Sequence, residues 1–400
     1  MTLKTIKARS RVTRKLNISV FPRSHPRESA STNMTLPFQG IKKLINDGLI
    51  TKSGPFVDGQ IQPASLDCTL GNRVFRVTSS FLPQPNEKIA DIVKAKTLYE
   101  FELVEGSILE PNASYIIPLQ EHIKMPAGFQ AYSNPKSSIG RIDVFVRLLV
   151  DGNAQFDVIP EGYEGPLYLE VIPLTFVVAV SPGIALNQIR FRKTDTHFLG
   201  DADLRDLHKS QGLLFDLEGK KIKEPIIRDN SLFLTADLQN REVIGFRAKH
   251  NATDVLDLTK KDFYGVEQFW EPIKRPANGE FVLVPGDFYL LGSNERIAVP
   301  PDYSAEMASY DPQSGELRAH YAGFFDSGFG YEEGEGIGGT TAVLEVRAHN
   351  VPFRLTHGQI ICRFIYERMM ERPEKVYGKS IKSHYTGSAP KLPKFFKNVW

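Results

Sequence analysis

Lys136-Ser137-Ser138-Ile139-Gly140-Arg141 puts two cations and two hydroxyls within about one helical turn. Pro135 ends an extended segment just before it, and Ser137 or Ser138 can cap the turn. Ser137 and Arg141 lie four residues apart and so share one face. With free backbone N–H groups, Lys136 and Arg141 would make such a turn a phosphate cradle. The same residues also read as an ordinary capped turn with a surface arginine. A second segment, Ala322-Gly323-Phe324-Phe325-Asp326-Ser327-Gly328-Phe329-Gly330, opens with small residues that let a ligand approach backbone closely. Asp326 could accept a sugar hydroxyl there, or cap an Asx turn. Third are two strand carboxylates, Glu170 in Leu-Tyr-Leu-Glu-Val and Glu345 in Val-Leu-Glu-Val. A Glu between apolar neighbours ordinarily faces outward on a half-exposed strand. If it faces inward, burial raises its pKa and suits it to general acid–base work.

Zinc hydrolysis has no support in the sequence. Neither H-x-E with P-C-x-x-C nor H-E-x-x-H occurs, and His320, His349 and His357 lack ligand spacing. The Gly-rich run 330–339 carries three acids and leads into a strand, so it reads as an exposed hairpin insertion and not as a phosphate loop.

The elements that must hold these residues are mostly strands. Residues 37–50 read as a short amphipathic helix, with Ile41, Leu44, Ile45 and Leu49 at helical spacing. Short β-rich runs follow at Arg73–Val77, Ser114–Pro118, Val144–Val150, Leu167–Ile172 and Phe176–Val180, punctuated by Pro and Gly. The pattern predicts a mainly β chain of sandwich or barrel type with few short helices. Residues 193–230 are more polar and read as a connection containing a hairpin over LLFDLEGKKI.

The chain also repeats itself. Residues 114–126 match 288–300 through a shared Tyr, Glu, Ile and Pro at an offset of 174. Pro-x-Ser-x-x-x-Arg recurs as Ser137 with Arg141 and Ser314 with Arg318. Glu170 pairs with Glu345 and Gly183 with Gly358 at an offset of 175. The organisation predicted is therefore a basic extension over 1–33, one β domain over 34–195, a connection over 196–224, and a second copy over 225–400. The copies are unequal. Gln313 and Gly315 stand where the first has Lys136 and Ser138, and Pro160 stands where the second has Asp326.

Length and charge set outer bounds. The 400 residues suit two domains, and no stretch approaches the ~18 apolar residues of a helical membrane span. Cys68 and Cys362 lie too far apart in sequence for a disulfide framework or a Cys-based zinc site, and a reducing compartment, the cytoplasm, is expected. Residues 1–33 hold eight Lys/Arg against Glu28 alone, leaving 41 basic and 46 acidic residues, net −5, in 34–400. That basic stretch reads as a disordered tail, as the result of a start placed upstream of Met34, or as a targeting peptide. The acidic body argues against a nucleic-acid partner.

Taken in order, these motifs resemble the deoxycytidine triphosphate deaminase and dUTPase superfamily, in its duplicated two-domain bacterial form. Gln62 through Asp67 with Leu70-Gly71 resembles the opening strand motif, and Lys136-Ser137-Ser138 with Arg141 the phosphate-binding motif. Ala322 to Asp326 is similar to the segment that closes over base and deoxyribose. Glu170 and Glu345 sit in what resembles the catalytic strand, and Ser181 to Phe191 in the closing strand. His384-Tyr385-Thr386-Gly387-Ser388 is similar to the tail that folds over the nucleotide. The resemblance implies tandem dUTPase-like distorted barrel or jelly-roll domains. It implies hydrolytic deamination of dCTP to dUTP and ammonia by a Glu-activated water without zinc, and Mg²⁺ carried by the triphosphate. It implies a trimer-based homo-oligomer in which neighbouring domains share each site. Glu345 is then the first choice for the base and Glu170 the second. Binding falls to Lys136, Ser137, Ser138, Arg141, Ser314, Arg318, Ala322, Gly323, Asp326 and Tyr385. The alternatives are dUTP diphosphate hydrolysis, alone or combined with deamination, and an idle nucleotide-binding module. Deleting residues 1–33 is expected to leave activity unchanged, as ammonia release would measure.

Overall fold

The computed structural model describes residues 34–400 except 196, 309–316, 320–322, 333–337, 349, 379–389 and 398–399, and describes no side chains for 317–319. The basic extension, Ser314, Ala322, Tyr385 and the middle of the Gly-rich run lie outside the described residues. The chain is mainly β, with five short helices among those residues.

The two halves use the same order of strands. In the first half, Thr97–Glu102, Arg73–Val77, Tyr115–Lys124, Glu164–Pro173 and Val144–Leu149 lie side by side, and Ile50–Lys52 also pairs with Tyr115–Lys124. In the second, Trp270–Lys274, Val243–Ala248, Phe288–Ile297, Thr340–Ala348 and Leu317–Ala319 follow in the same order, and Leu214–Phe215 also pairs with Phe288–Ile297. Another sheet joins Leu66–Thr69, Ala185–Lys193, Phe129–Pro135 and Val158–Ile159; its counterpart joins Ser231–Thr235, Ile360–Arg368, Tyr303–Ala308 and Phe324–Phe325.

The residues shared between the copies hold equivalent structural posts. Glu121 accepts from the backbone N–H and hydroxyl of Thr69, at 2.8 and 2.7 Å, and Glu295 accepts the same pair from Thr235, at 2.8 and 2.6 Å. Each carboxylate thus ties one sheet to the other from a buried position, where an unpaired charge would be costly. The Tyr115 hydroxyl accepts from Glu110 N–H and that of Tyr289 from Val284 N–H. Gly183 and Gly358 both take a left-handed backbone, φ 78° and 76°, and donate to Leu70 and Ala236 carbonyls. Most of the sequence repeat therefore records how the sheets are braced.

The helix expected over 37–50 spans Phe38–Asn46 and buries Phe38 and Ile41. The connecting segment departs from expectation. Besides a turn closed by Asp216 and Lys220, it contains the helix Asp201–Gln211. Asp201 and Asp203 in its first turn and His208 and Lys209 in its last favour the helix dipole, and Gly212 at φ 77° follows its end. Leu204 and Leu207 bury against the second half's core, so this segment is packed structure and not a free linker. Two apolar residues on one face gave too weak a period to register as a helix.

The halves are joined through their cores. Leu256–Asp257 of the second half adds in parallel to Val178–Val180 of the first. Leu392, Phe395 and Phe396, near the C-terminus, bury in the same cluster as Leu66, Ile139 and Phe176.

Candidate active site

The Lys136 segment forms a single helical turn, Ser137–Gly140, directly after the strand Phe129–Pro135. Arg141 N–H closes it onto the Ser137 carbonyl. The turn stands at the mouth of a cavity of about 480 Å³. Lys136, Ser137, Ser138 and Arg141 of the first half line one wall; Phe324, Phe325, Asp326 and Phe329 of the second line the other. Gln62, Asp67 and Gln188, from the opening and closing strands, complete the floor. Lys136 is ion-paired with Asp67, and Ser65 Oγ donates to Gln188 Oε1 at 3.2 Å.

The pocket segment is clamped from across the halves. Arg190, fully buried on the strand Ala185–Lys193, reaches Asp326 Oδ1 at 3.3 Å and Glu367 Oε1 at 3.1 Å. It also donates to the Ala305 and Phe325 carbonyls, and its guanidinium lies 4.1 Å from the Phe324 ring centroid. Arg192 bridges Glu306 and Glu367 beside it. Burial pushes the Asp326 carboxyl up, and the charge of Arg190 pulls it back down. Burial alone would raise Glu367 as well, but there Arg192 and Arg190 outweigh it and hold the carboxyl below its ordinary value.

Glu345 faces inward, contrary to the usual expectation for a strand carboxylate. It does not line the large cavity. It borders an adjoining void of about 20 Å³, together with Ser137, Arg141, Gly323 and Phe325. That is room for one water. Its Oε2 is buried and has no hydrogen-bond partner among the described residues. Burial pushes its carboxyl well above the usual range; the Arg141 charge opposes this and Asp143 reinforces it. Asp143 is itself ion-paired across the halves with Arg347, two residues along Glu345's strand.

Glu170 is also buried, again against expectation, but its surroundings differ. Ser114 and Ser80 donate to its two oxygens at 2.7 and 2.8 Å. It borders neither cavity. The resemblance ranks Glu345 ahead of Glu170, and packing separates them: Glu170 has a donor on each oxygen, whereas Glu345 Oε2 has no partner among the described residues. Lys136, Ser137, Ser138, Arg141, Gly323, Asp326 and Glu345 are brought together. The backbone of Arg318 lies beside that of Arg347 in the sheet.

Three contributors were missed. Arg190 was hidden in an ordinary-looking strand. Lys261 and Lys394 also line the large cavity. Lys394 belongs to the C-terminal stretch Lys391-Leu392-Pro393-Lys394-Phe395-Phe396, whose alternation of basic and aromatic residues was the available signal.

Comparison with known proteins gives a consistent result. Residues 32–195 match the family model of the 2'-deoxycytidine 5'-triphosphate deaminase N-terminal domain, and residues 200–396 that of the C-terminal domain. A crystal structure of 2'-deoxycytidine 5'-triphosphate deaminase from Agrobacterium tumefaciens is similar at 41% identity and a TM-score of 0.81, covering 88% of this chain and 99% of that one. The dCTP deaminase of Ignicoccus hospitalis is 28% identical over 183 residues, 44% of this chain and 93% of its own. A dUMP-forming dCTP deaminase from a Sulfurihydrogenibium species is 30% identical over 168 residues, 40% of this chain and 85% of its own.

Proposed function

Because the chain belongs to the dCTP deaminase family, we propose that it hydrolyses dCTP to dUTP and ammonia at the cavity between its two halves. The observation that carries this reading is Glu345, whose Oε2 has no hydrogen-bond partner among the described residues, beside a water-sized void that also touches Ser137 and Arg141. On this reading a water occupies the void. Glu345 takes one of its protons as the oxygen attacks C4 of cytosine and delivers it to N3, then relays the remaining hydroxyl proton of the tetrahedral intermediate to the amine. The C4–N bond then breaks, ammonia leaves and a C4 carbonyl remains. A carboxyl whose pKa burial has raised suits both halves of that exchange. Arg141 and the Ser137 hydroxyl orient the water. Asp326, held by Arg190, accepts a deoxyribose hydroxyl, and backbone around Gly323 reads the base edge. Lys136 and Ser138 hold the phosphates.

No zinc enters this scheme. A hard cation such as Mg²⁺ takes one or two carboxylates, phosphate oxygens and several waters. Mg²⁺ would arrive on the triphosphate of the substrate and neutralise phosphate charge there. On the same reading the copies 34–195 and 225–400 are dUTPase-like distorted barrels of jelly-roll type, joined through 196–224. The chain assembles as a trimer-based homo-oligomer in the cytoplasm.

The relative named as dUMP-forming gives a second reading, deamination coupled to loss of pyrophosphate. Incubation with dCTP and Mg²⁺, followed by separation of nucleotides, distinguishes the two. Ammonia with dUTP is expected; ammonia with dUMP and pyrophosphate supports the second reading, and no ammonia sinks both. The pH profile adds a check on Glu345. A base must be deprotonated, so kcat/KM should fall with decreasing pH along a limb displaced above the ordinary carboxylate range. A limb at the ordinary Glu value, near 4.3, counts against Glu345.

A further inference from the structure

The C-terminal segment reaches the cavity from outside every motif discussed above. Leu392, Phe395 and Phe396 are fully buried in the core it shares with the first half. Its backbone is pinned on both sides. The Lys391 carbonyl accepts from Arg141 Nη1 at 2.7 Å, and the Lys394 carbonyl accepts from Asp262 N–H at 2.9 Å. Phe263 N–H likewise donates to Phe395 O. Lys394 therefore projects from a fixed scaffold. Both Lys394 and the neighbouring Lys261 line the 480 Å³ cavity together with the Lys136 turn.

The charges are arranged unevenly. Lys136 is already neutralised by Asp67. Lys394 has no ion-pair partner among the described residues, although carboxylates stand nearby. The cavity lining sets Lys136, Arg141, Lys261 and Lys394 against Asp58, Asp67, Asp262 and Asp326, of which Asp67 is engaged by Lys136 and Asp326 by Arg190. In a body of net −5, Lys394 is thus a cavity cation not committed to an ion pair among the described residues, and a local charge of that kind favours an incoming polyanion.

We propose that Lys394, supported by Lys261, is a phosphate-binding and specificity-determining residue that contacts the polyphosphate chain of the substrate in the cavity it shares with the Lys136 turn. The proposal rests on the deaminase reading for the identity of the substrate, but not for the binding itself. The terminal segment then serves twice. Its aromatic residues close the core, while its lysine selects a triphosphate over a monophosphate.

The Lys394 charge also depends on pH. The groups facing it are Lys136 and Arg141 on the turn, Asp67 on its strand, Lys261 and Asp262 on their loop, Asp58 on the 54–60 turn, and Asp326 on the pocket segment. Burial first, then the like charges of Lys136 and Lys261, lower the Lys394 ammonium to about 8, with Asp67 opposing. In the free protein its charge is therefore present below pH 8 and lost above it. A bound polyanion favours the charged form, so affinity should fall as pH rises through that value.

Calorimetric titration of the full chain with inorganic tripolyphosphate tests this without turnover. At pH 7, Lys394→Met should bind about tenfold more weakly than wild type, the scale of one lost charge-assisted hydrogen bond. Lys394→Arg should restore affinity and keep it at about pH 9.5, where wild type weakens toward the Met variant. Binding of inorganic phosphate should change much less. Equal tripolyphosphate affinity in wild type and Lys394→Met at pH 7 overturns the proposal, as does an identical pH dependence in wild type and Lys394→Arg. If instead binding follows Lys394 while dCTP yields no ammonia, the deaminase reading fails and this inference stands.

Discussion

Glu345→Gln should lower kcat for dCTP deamination by about 10²–10⁴, the range for loss of a positioned acid–base group, while making the protein more stable. Both effects have one cause. The wild-type carboxylate is buried with an oxygen that finds no partner among the described residues. Its folded pKa lies above the unfolded value. The folded state therefore holds the proton more tightly, and stability from this group falls as pH rises from the unfolded pKa, near 4.3, toward the folded one. Glutamine has no charge to desolvate. Its advantage should grow with pH and reach about 1–3 kcal/mol, the cost of an unsatisfied buried group. Ammonia release and thermal melts at pH 6 and 8 measure the pair. Glu170→Gln is the control. Its carboxylate already has two serine donors and borders neither cavity, so kcat should stay near wild type. Loss of turnover in Glu170→Gln, with Glu345→Gln active, would reverse the assignment of the base. A Glu345→Gln protein that is inactive and also less stable would point to a structural role.

The second large effect is expected at Arg190. Replacing it with Met keeps the length of the side chain and removes the charge that Asp326 and Glu367 share. Breaking a buried pair from one side typically costs about 3–5 kcal/mol, because the remaining charge stays desolvated. Arg192 still reaches Glu367, so the uncompensated group is mainly Asp326, at the cavity. The pocket segment Phe324–Asp326 then loses its tie to the first half, and KM for dCTP should rise along with the loss of stability. Denaturant unfolding and steady-state kinetics at one pH report the two components. The sign with pH is opposite to that of Glu345. Glu367 has its folded pKa held below the unfolded one, so its contribution is full above about 4.3 and disappears as pH falls through the lower folded value. The gap between wild type and Arg190→Met should therefore narrow under acid conditions. A constant gap down to the acid transition would show that lost packing, and not charge, dominates.

Much of this architecture was legible in the sequence because it rests on local rules. Short runs of β-forming residues between turns located Arg73–Val77 and Val144–Leu149, since β-branched and aromatic side chains fit a pleated strand. The repeat located Glu121 with Glu295 and Gly183 with Gly358, since the same brace and the same left-handed turn recur in both copies. The Lys136–Arg141 turn was visible because a single turn needs only neighbouring residues; the expected serine cap is not there, since Lys136 holds the N-cap position and no side chain caps it.

Other features could not be read that way. Both strand glutamates sit in near-identical sequence contexts, and only the packing of Ser80 and Ser114 against Glu170 leaves Glu345 as the one with an open oxygen. Arg190 looks like an alternating strand residue until the second half covers it. Lys394 lies more than 250 residues from Lys136 along the chain, and only burial of Phe395 and Phe396 brings it to the same cavity. Local sequence was enough for the strands and the chemical types available. The tertiary structure decided which carboxylate is left unpaired and which cations share one cavity. Desolvation and Coulomb interaction depend on distance in space and on who covers whom, and neither quantity is encoded in local spacing.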